Sequence, residues 1–560
     1  MSPLLQINDL SVSFRQQQAV KDISFEIKKG ETLAIVGESG SGKSVTSLSI
    51  MQLLSSHAHI SGNIFLDNNN EPIDLVRLSA RGMQHIRGNK IGMIFQEPMT
   101  SLNPVKRCGH QVSEAVLLHN KIDKTAAHER VIDLFRQVQL PDPENLYKRY
   151  PHEISGGQKQ RVMIAMAMSC NPQLLICDEP TTALDVLVQK EILLLIKKLQ
   201  QQTDMSVLFI SHDLNLVAEI ADRIVIFYKG NLVEINTTEK IIHTPQHPYT
   251  KALLACRPAL YNKGQRLPVV SDFIQQEQQI TQTSFIEPLV NDTNKTVLLS
   301  VKKLNTWYAA KQNFLGKALQ YNKAVNDVSF DVYENEMLGL VGGSGCGKTT
   351  LGRTIMGLIQ PHSGEILYKG KNITTASAHE RKSLSGEIQM IFQDPYASLN
   401  PRITIGEAIG EPLHVHRLFP SKKIKDKVIE WLEKTGLQAS HYNRYPHEFS
   451  GGQRQRIVIA RALIMQPKFV VCDECVSALD VSVQAQVLNL LNDLKREIGF
   501  TAIFISHDLS VVRYLCDRII VMNKGRIEET GSAEEVYHHP QSDYTRQLLS
   551  ALPQTFSAII

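Results

Sequence analysis

At 560 residues the chain has room for two to four domains of roughly 100 to 200 residues each. Sixty Lys and Arg stand against 56 Asp and Glu, a net charge of +4, so there is no basic excess of the kind that holds nucleic acid, and 42% hydrophobic with 21% charged residues is a globular composition rather than a disordered or fibrous one. Apolar runs such as Ile192 to Ile196 and Val207 to Ile210 stop far short of the roughly 18 residues of a spanning helix. No basic residue precedes Arg15 to make a secretory signal, and the eight cysteines are scattered, which points to a reducing cytosol rather than a disulfide framework. Cys472 and Cys475 make a C-x-x-C inside CDEC, but no second pair completes a four-cysteine metal site.

In chain order, the apolar strand Leu33 to Val36 runs into a glycine-rich turn carrying Gly37, Ser39, Gly40, Ser41, Gly42, Lys43 and Ser44, and Val45 opens a helical stretch. Strand, GxxxxGKS and helix together make a phosphate cradle: glycines let backbone N–H groups turn inward, beside a helix N-terminus that favours negative charge. Lys43 is read as the cation for the β and γ phosphates and Ser44 as a Mg²⁺ ligand. The strand IGMIF ends at Gln96, whose amide could reach Mg²⁺ or the lytic water. Ser155, Gly156, Gly157 and Gln158 open a further helix and form a second phosphate-binding surface. The strand LLIC delivers Asp178 and Glu179 to the carboxyl edge of a sheet, Asp178 as the Mg²⁺-side carboxylate and Glu179 to polarise water. VLFIS ends at His212, placed to sense a γ phosphate, and RIVIF is the last strand of this kind. Val-, Ile- and Leu-rich runs that are apolar on both faces, alternating with helix-length segments, define an α/β domain with a buried, mostly parallel sheet.

The chain then repeats itself. GESGSGKS recurs as Gly342, Gly343, Ser344, Gly345, Cys346, Gly347, Lys348 and Thr349, followed by Thr350. IFQEPMTSLNP recurs as IFQDPYASLNP with Gln393, and RYPHEISGGQKQR as RYPHEFSGGQRQR with Ser450, Gly451, Gly452 and Gln453. Asp178 and Asp473, His212 and His507, and Tyr249 and Tyr544 are all 295 positions apart (473 − 178), and Glu474 follows Asp473 as Glu179 follows Asp178. Residues 1–270 and 297–560 are thus two copies of one α/β domain, joined by a Gln- and Thr-rich linker at 271–296. An insertion of the second copy, about Ala309 to Asn322, reads as a surface loop.

These motifs, in this order and twice, resemble the ATPase subunits of ABC transporters. The resemblance covers nearly the whole chain. It implies P-loop NTPase domains of the ABC type, each with a helical subdomain carrying the SGGQ signature, that bind ATP with Mg²⁺ and hydrolyse it. The family further implies that the halves pair head to tail, each ATP lying between one half's P-loop and the other's signature. Ala183-Leu184-Asp185 and Ala478-Leu479-Asp480 match the D-loop, and Phe14 and Tyr308 match the aromatic that stacks on adenine. Q(E/D)PxxSLNP, YPHE, PQHPYTKALL and PQSDYTRQLL resemble dipeptide, oligopeptide and glutathione importers with both ATPases fused. That implies a peripheral protein of the inner face of the cell membrane, bound to two transmembrane permease subunits and served by an extracytoplasmic solute-binding protein. Many unfused relatives carry an iron–sulfur cysteine cluster after HPYT; only Cys256 lies nearby here, so no cluster is expected. Ile154 and Phe449 stand where the signature usually has leucine, and Cys475-Val476 replace Pro180-Thr181; both sites are still expected to hydrolyse. The alternative is a soluble tandem ATPase acting on ribosomes, a class that usually has a long, charged helical linker.

Overall fold

The computed structural model describes residues 3–15, 17–68, 71–96, 101–182, 184–275, 296–312, 318–477 and 479–552. The chain divides into two compact units, the first built on Met1–Leu254 and the second on the later half through Leu552 together with Ala255–Val269.

In the first unit, β3 (Thr32–Gly37), β6 (Ile91–Ile94), β7 (Leu174–Asp178), β8 (Ser206–Ser211), β9 (Arg223–Tyr228) and β10 (Asn231–Thr237) form a sheet in the order β10-β9-β3-β8-β7-β6. Its strands are parallel except β10, which runs antiparallel to β9. Every residue of β3, β7 and β8 is buried, as strands covered on both faces must be. A second, antiparallel sheet of β1 (Pro3–Phe14), β2 (Gln17–Lys28), β4 (Ala58–Asn68) and β5 (Glu71–Asp74), in the order β2-β1-β4-β5, shares one hydrophobic core with it through Leu5, Ile7, Ile64, Leu33, Ile35 and Ile210. This second sheet lies outside the strands expected from sequence. The helices Cys108–His119, Lys124–Gln137, Pro143–Lys148 and Gly156–Ala167 pack on one another and carry the signature.

The second unit repeats the plan. β13 (Met337–Val341), β16 (Ile388–Ile391), β17 (Phe469–Asp473), β18 (Thr501–Ile505), β19 (Arg518–Asn523) and β20 (Arg526–Ser532) are ordered β16-β17-β18-β13-β19-β20, beside an antiparallel sheet of β11 (Val297–Gln312), β12 (Ala318–Tyr333), β14 (Ser363–Tyr368) and β15 (Lys371–Asn372). The insertion expected as a loop is instead an extension of the β11–β12 hairpin: Tyr308 pairs with Asn322, Ala309 with Tyr321 and Lys311 with Gln320. The two strands continue their ladder with a register shift between Ala309 and Lys311, and the Trp307 ring, stacked on His362 at 4.2 Å with the Lys323 ammonium 4.8 Å from its centroid, fastens one face. Residues 313–317, and most of the 271–296 linker, lie outside the described residues.

Ala255–Val269 belongs to the second unit through bonds to its backbone. Asn489 accepts from Leu267 N–H at 3.0 Å and donates to Leu267 C=O at 2.8 Å, both buried. Tyr514 donates to Gln265 C=O at 2.7 Å, Arg513 to Ala259 C=O at 2.9 Å, and Arg266 pairs with Asp493 at 3.0 Å. The first copy has Leu194, Glu219, Ala218 and Lys198 at the positions of Asn489, Tyr514, Arg513 and Asp493, so the set of groups that holds this segment is not repeated there. Replacing Asn489 by leucine, its first-copy counterpart, strands the buried Leu267 N–H and C=O and should cost about 1–3 kcal/mol in urea unfolding of the second unit, whereas Leu194→Ala at an exposed position should shift stability by less than about 0.5 kcal/mol.

Candidate ATP sites

The first site grows from the carboxyl ends of β3, β7 and β8. Gly42 caps the helix Lys43–Ile50 at φ 103°, a conformation open to glycine, and a Cβ there would sit 2.8 Å from Ala19 C=O. The turn brings Lys43 back over the loop, where its buried ammonium donates to Gly37 C=O at 2.7 Å and Glu38 C=O at 2.9 Å and stands 3.9 Å from Glu179. Ser44 donates to Asp178 Oδ1 at 2.9 Å, and Ser47 to its Oδ2 at 3.3 Å.

Glu179 sits just past the strand end at φ 47°, a left-handed, strained backbone for a non-glycine residue, held by its N–H donating to Ile210 C=O at 3.0 Å. Its Oε2 collects three side chains: Gln96 Nε2 at 3.2 Å, Thr182 Oγ1 at 3.0 Å and His212 Nδ1 at 3.3 Å. Gln96, Asp178, Glu179, His212, Lys43 and Ser44, singled out separately along the sequence, are thus one connected cluster. Thr182 and Ser47 were missed, because a hydroxyl one turn from a motif gives no signal of its own.

The second site repeats this with small changes. Lys348 donates to Gly342 C=O at 2.8 Å and Gly343 C=O at 3.0 Å and stands 3.9 Å from Glu474. Thr349 donates to Asp473 Oδ1 at 2.9 Å, Gln393 to Glu474 at 2.7 Å, and His507 Nδ1 is 3.8 Å from Glu474, which is again left-handed at φ 45°. Glycine 352 occupies the place of Ser47, against Ile505 and Val471, and the buried Asp473 Oδ2 finds no hydrogen-bond partner among the described residues. The Cys475-Val476 change leaves the turn in place, since Ser477 N–H returns to Glu474 C=O as Thr182 N–H does to Glu179 C=O, each at 3.2 Å.

The adjacent acids are driven apart in acidity. Burial raises Asp178 and Asp473 above the usual aspartate value, with the Ser44 and Thr349 hydroxyls pulling partly back. Burial pushes Glu179 the same way, but the hydrogen bond and charge of His212, with Lys43 and Thr182, more than reverse it and bring Glu179 down to about 2. Glu474 is lowered by the corresponding partners His507 and Lys348 against its burial. A buried aspartate beside a P-loop hydroxyl, and in the second copy a carboxylate oxygen without a partner, is a donor set that fits Mg²⁺.

The signature residues lie on another element. Ser155 accepts from Gln158 N–H and the Gln158 side chain accepts from Ser155 N–H, a reciprocal cap on the helix Gly156–Ala167, and Ser450 with Gln453 does the same for Gly451–Leu463. A Cβ at Gly452 would strike Val483 at 2.3 Å, whereas one at Gly451 meets nothing within 4 Å. Phe449 fits where leucine is usual by burying its ring edge-on to His441 at 5.1 Å; Ile154 is buried likewise. Phe14 ends β1 packed against the core, while Tyr308 is 43% exposed on β11. Asp185 caps the helix Val186–Thr203 by accepting from Val188 N–H; Ala183 and Ala478 of the D-loops lie outside the described residues.

The family described as ABC transporter matches residues 20–182 and 325–477. The chain is an ABC transporter ATPase. It binds and hydrolyses ATP. The family described as the oligopeptide/dipeptide transporter C-terminal region matches residues 233–282. The chain is 48% identical over 558 residues to the glutathione import ATP-binding protein GsiA of Shigella sonnei (strain Ss046) and 47% identical over 558 residues to that of Escherichia coli (strain K12), each alignment covering 98% of this chain and 89% of the relative. Among the described residues no helix is long and apolar enough to cross a membrane.

The raised Asp178 carries a falsifiable sign. Its folded-state pKa lies above the unfolded value of 3.8, so ionising it at neutral pH works against the fold. Asp178→Asn keeps the Ser44 bond and can donate to Ser47; it should raise the thermal midpoint in buffer free of Mg²⁺ and nucleotide while lowering Mg²⁺-dependent hydrolysis. A lower midpoint would show that the charge stabilises this sheet edge.

Proposed function

We propose that this ATPase drives import of a peptide-like solute of the glutathione class through two transmembrane permease subunits, fed by an extracytoplasmic solute-binding protein. The similarity to glutathione import ATP-binding proteins over 98% of the chain carries this reading, and the peptide-transporter region at residues 233–282 supports it. These relatives lend no support to a ribosome-acting ATPase. Two ATPase domains, expected at 1–270 and 297–560 with 271–296 between them, go with the proposal, with the end of the first stretch, Ala255–Val269, belonging to the second compact unit; a peripheral place on the inner face of the cell membrane goes with it too.

In the proposed cycle Lys43 and the loop N–H groups hold the phosphates, and Phe14 or Tyr308 offers a ring to adenine. Mg²⁺, held by Ser44, Asp178 and Gln96, or by Thr349, Asp473 and Gln393, would neutralise charge on the phosphate oxygens. Glu179, at about 2, is a carboxylate throughout the physiological range but a weak base; its part is to orient and polarise the attacking water, with Gln96 and His212 fixing its direction. Glu474, Gln393 and His507 have the same parts in the second site. In this reading, as the family resemblance implies, Ser155, Gly156, Gly157 and Gln158 would complete the site of Lys348, and Ser450, Gly451, Gly452 and Gln453 that of Lys43.

Membrane coupling falls to the segments after Gln96 and Gln393. Met99 and Thr100 lie outside the described residues, but Val105 is 79% and Tyr396 64% exposed, the latter carrying Arg454 at 3.7 Å from its ring centroid. The chain should copurify in detergent with two polytopic membrane proteins, and Tyr396→Ala should weaken that association while sparing ATP binding; recovery with ribosomes instead would overturn the importer reading.

Shared sites are tested by pairing mutations across the halves. Lys43→Ala with Ser450→Arg damages one composite site twice and should leave the other able to trap nucleotide with vanadate. Lys43→Ala with Ser155→Arg damages each site once and should trap nearly none. Equal trapping would rule out head-to-tail sites.

A further inference from the structure

We infer that Tyr249 and Tyr544, from the HPYT and SDYT segments, are positioning residues that set the first peptide of each P-loop; the inference rests on reading those loops as ATP-phosphate cradles. Tyr249 is fully buried, and its hydroxyl accepts from Glu38 N–H at 3.1 Å. The carbonyl of that same peptide, Gly37 C=O, accepts from Lys43 at 2.7 Å. C=O and N–H of a trans peptide point to opposite sides, so the tyrosine and the lysine grip one peptide plane from its two edges. The second copy repeats the grip: Tyr544 accepts from Gly343 N–H at 2.9 Å and Lys348 donates to Gly342 C=O at 2.8 Å.

The segment bearing each tyrosine is itself anchored. Glu234 on β10 accepts from Gln246 N–H at 2.9 Å, His247 N–H at 3.1 Å and the Thr250 hydroxyl. Glu529 on β20 accepts from Gln541 N–H at 2.8 Å and Ser542 N–H at 3.0 Å. A short turn then aims the ring, through Tyr249 N–H on His247 Nδ1 and Tyr544 N–H on Ser542 Oγ, each at 3.2 Å. Tyr228, the last residue of β9, backs Tyr249 at 4.3 Å between centroids. The path runs from the antiparallel edge strand, through a carboxylate clamp and a buried ring, to the peptide that orients the phosphate-binding lysine. Different residues serve the turn in the two copies, histidine in one and serine in the other, yet the hydroxyl arrives at the same N–H. Preorganising the loop reduces what ATP binding must order.

The test is the full-length Tyr249→Phe/Tyr544→Phe chain, which keeps both rings and removes both hydroxyls, assayed for ATP hydrolysis and for binding of a fluorescent ATP analogue. One hydrogen bond per site predicts KM and the analogue's Kd raised roughly three- to tenfold, with kcat falling less than KM rises and the nucleotide-free thermal midpoint nearly unchanged. Unchanged KM and Kd would overturn the inference, as would a fall in kcat and midpoint that matches the loss of affinity, the mark of general loosening. Should the buried Tyr249 change impair folding, Tyr544→Phe alone, at a partly exposed position, carries the same test in ATP-analogue titrations. Wild-type chain that bound no ATP would instead defeat the reading of the cradles, so the two failures are distinct.

Discussion

Two carboxylates on consecutive residues at the buried edge of a sheet repel each other and resist desolvation, and each half of this chain is organised around keeping such a pair charged. The end of β7 at Asp178 and the left-handed turn at Glu179 send the two acids to different surroundings. Asp178 turns toward hydroxyls and stays raised by burial, while Glu179 turns toward a histidine and a lysine and is held low. Environments that push paired acids apart can divide their roles, and here neighbouring residues end with opposite shifts, one raised by burial and one lowered by its partners. The left-handed backbone at Glu179 and Glu474 is the local cost of turning two neighbouring acids in different directions.

Much of this was legible because the chemistry forces unusual residues into fixed order. A GxxxxGK[ST] turn needs its glycines, the acid pair needs an apolar strand behind it, and the 295-residue offset from Asp178 to Asp473 (473 − 178) exposed the duplication directly. Fully buried parallel strands announce themselves as unbroken Val, Ile and Leu. The antiparallel sheets do not, because β1 and β2 expose part of each face and are interrupted by register shifts between Ile7 and Leu10 and between Leu10 and Val12. The hairpin extension past Tyr308 was read as a loop because it has no counterpart in the first copy, although Trp307 and Tyr321 are good strand residues.

Ala255–Val269 shows a different blind spot. It is held largely through its own carbonyls and N–H groups, by Asn489, Tyr514 and Arg513, and backbone acceptors leave no pattern in a sequence. The information lies in the receiving residues, and only a comparison of the copies reveals it: a polar, hydrogen-bonding Asn489 stands where the first copy has an exposed leucine. Divergence between duplicated domains therefore marks what each copy does alone.

The same comparison separates the two ATP sites. In the first, both oxygens of Asp178 accept hydrogen bonds, from Ser44 and Ser47. In the second, Gly352 replaces Ser47 where Ile505 and Val471 crowd the space a side chain would need, so Asp473 has one hydroxyl, and the positive charges of Arg353 and Lys348 act on it only at a distance. A buried carboxylate oxygen without a donor carries its full desolvation cost, and a cation at that position would relieve more in the second site than in the first. Glu474 is also held more loosely by its histidine, at 3.8 Å against 3.3 Å for Glu179. The two halves share one set of chemical groups but hold their acids differently: a serine-to-glycine exchange three residues past the Ser44 and Thr349 hydroxyls removes a donor from Asp473, and the longer approach of His507 separately loosens the hold on Glu474.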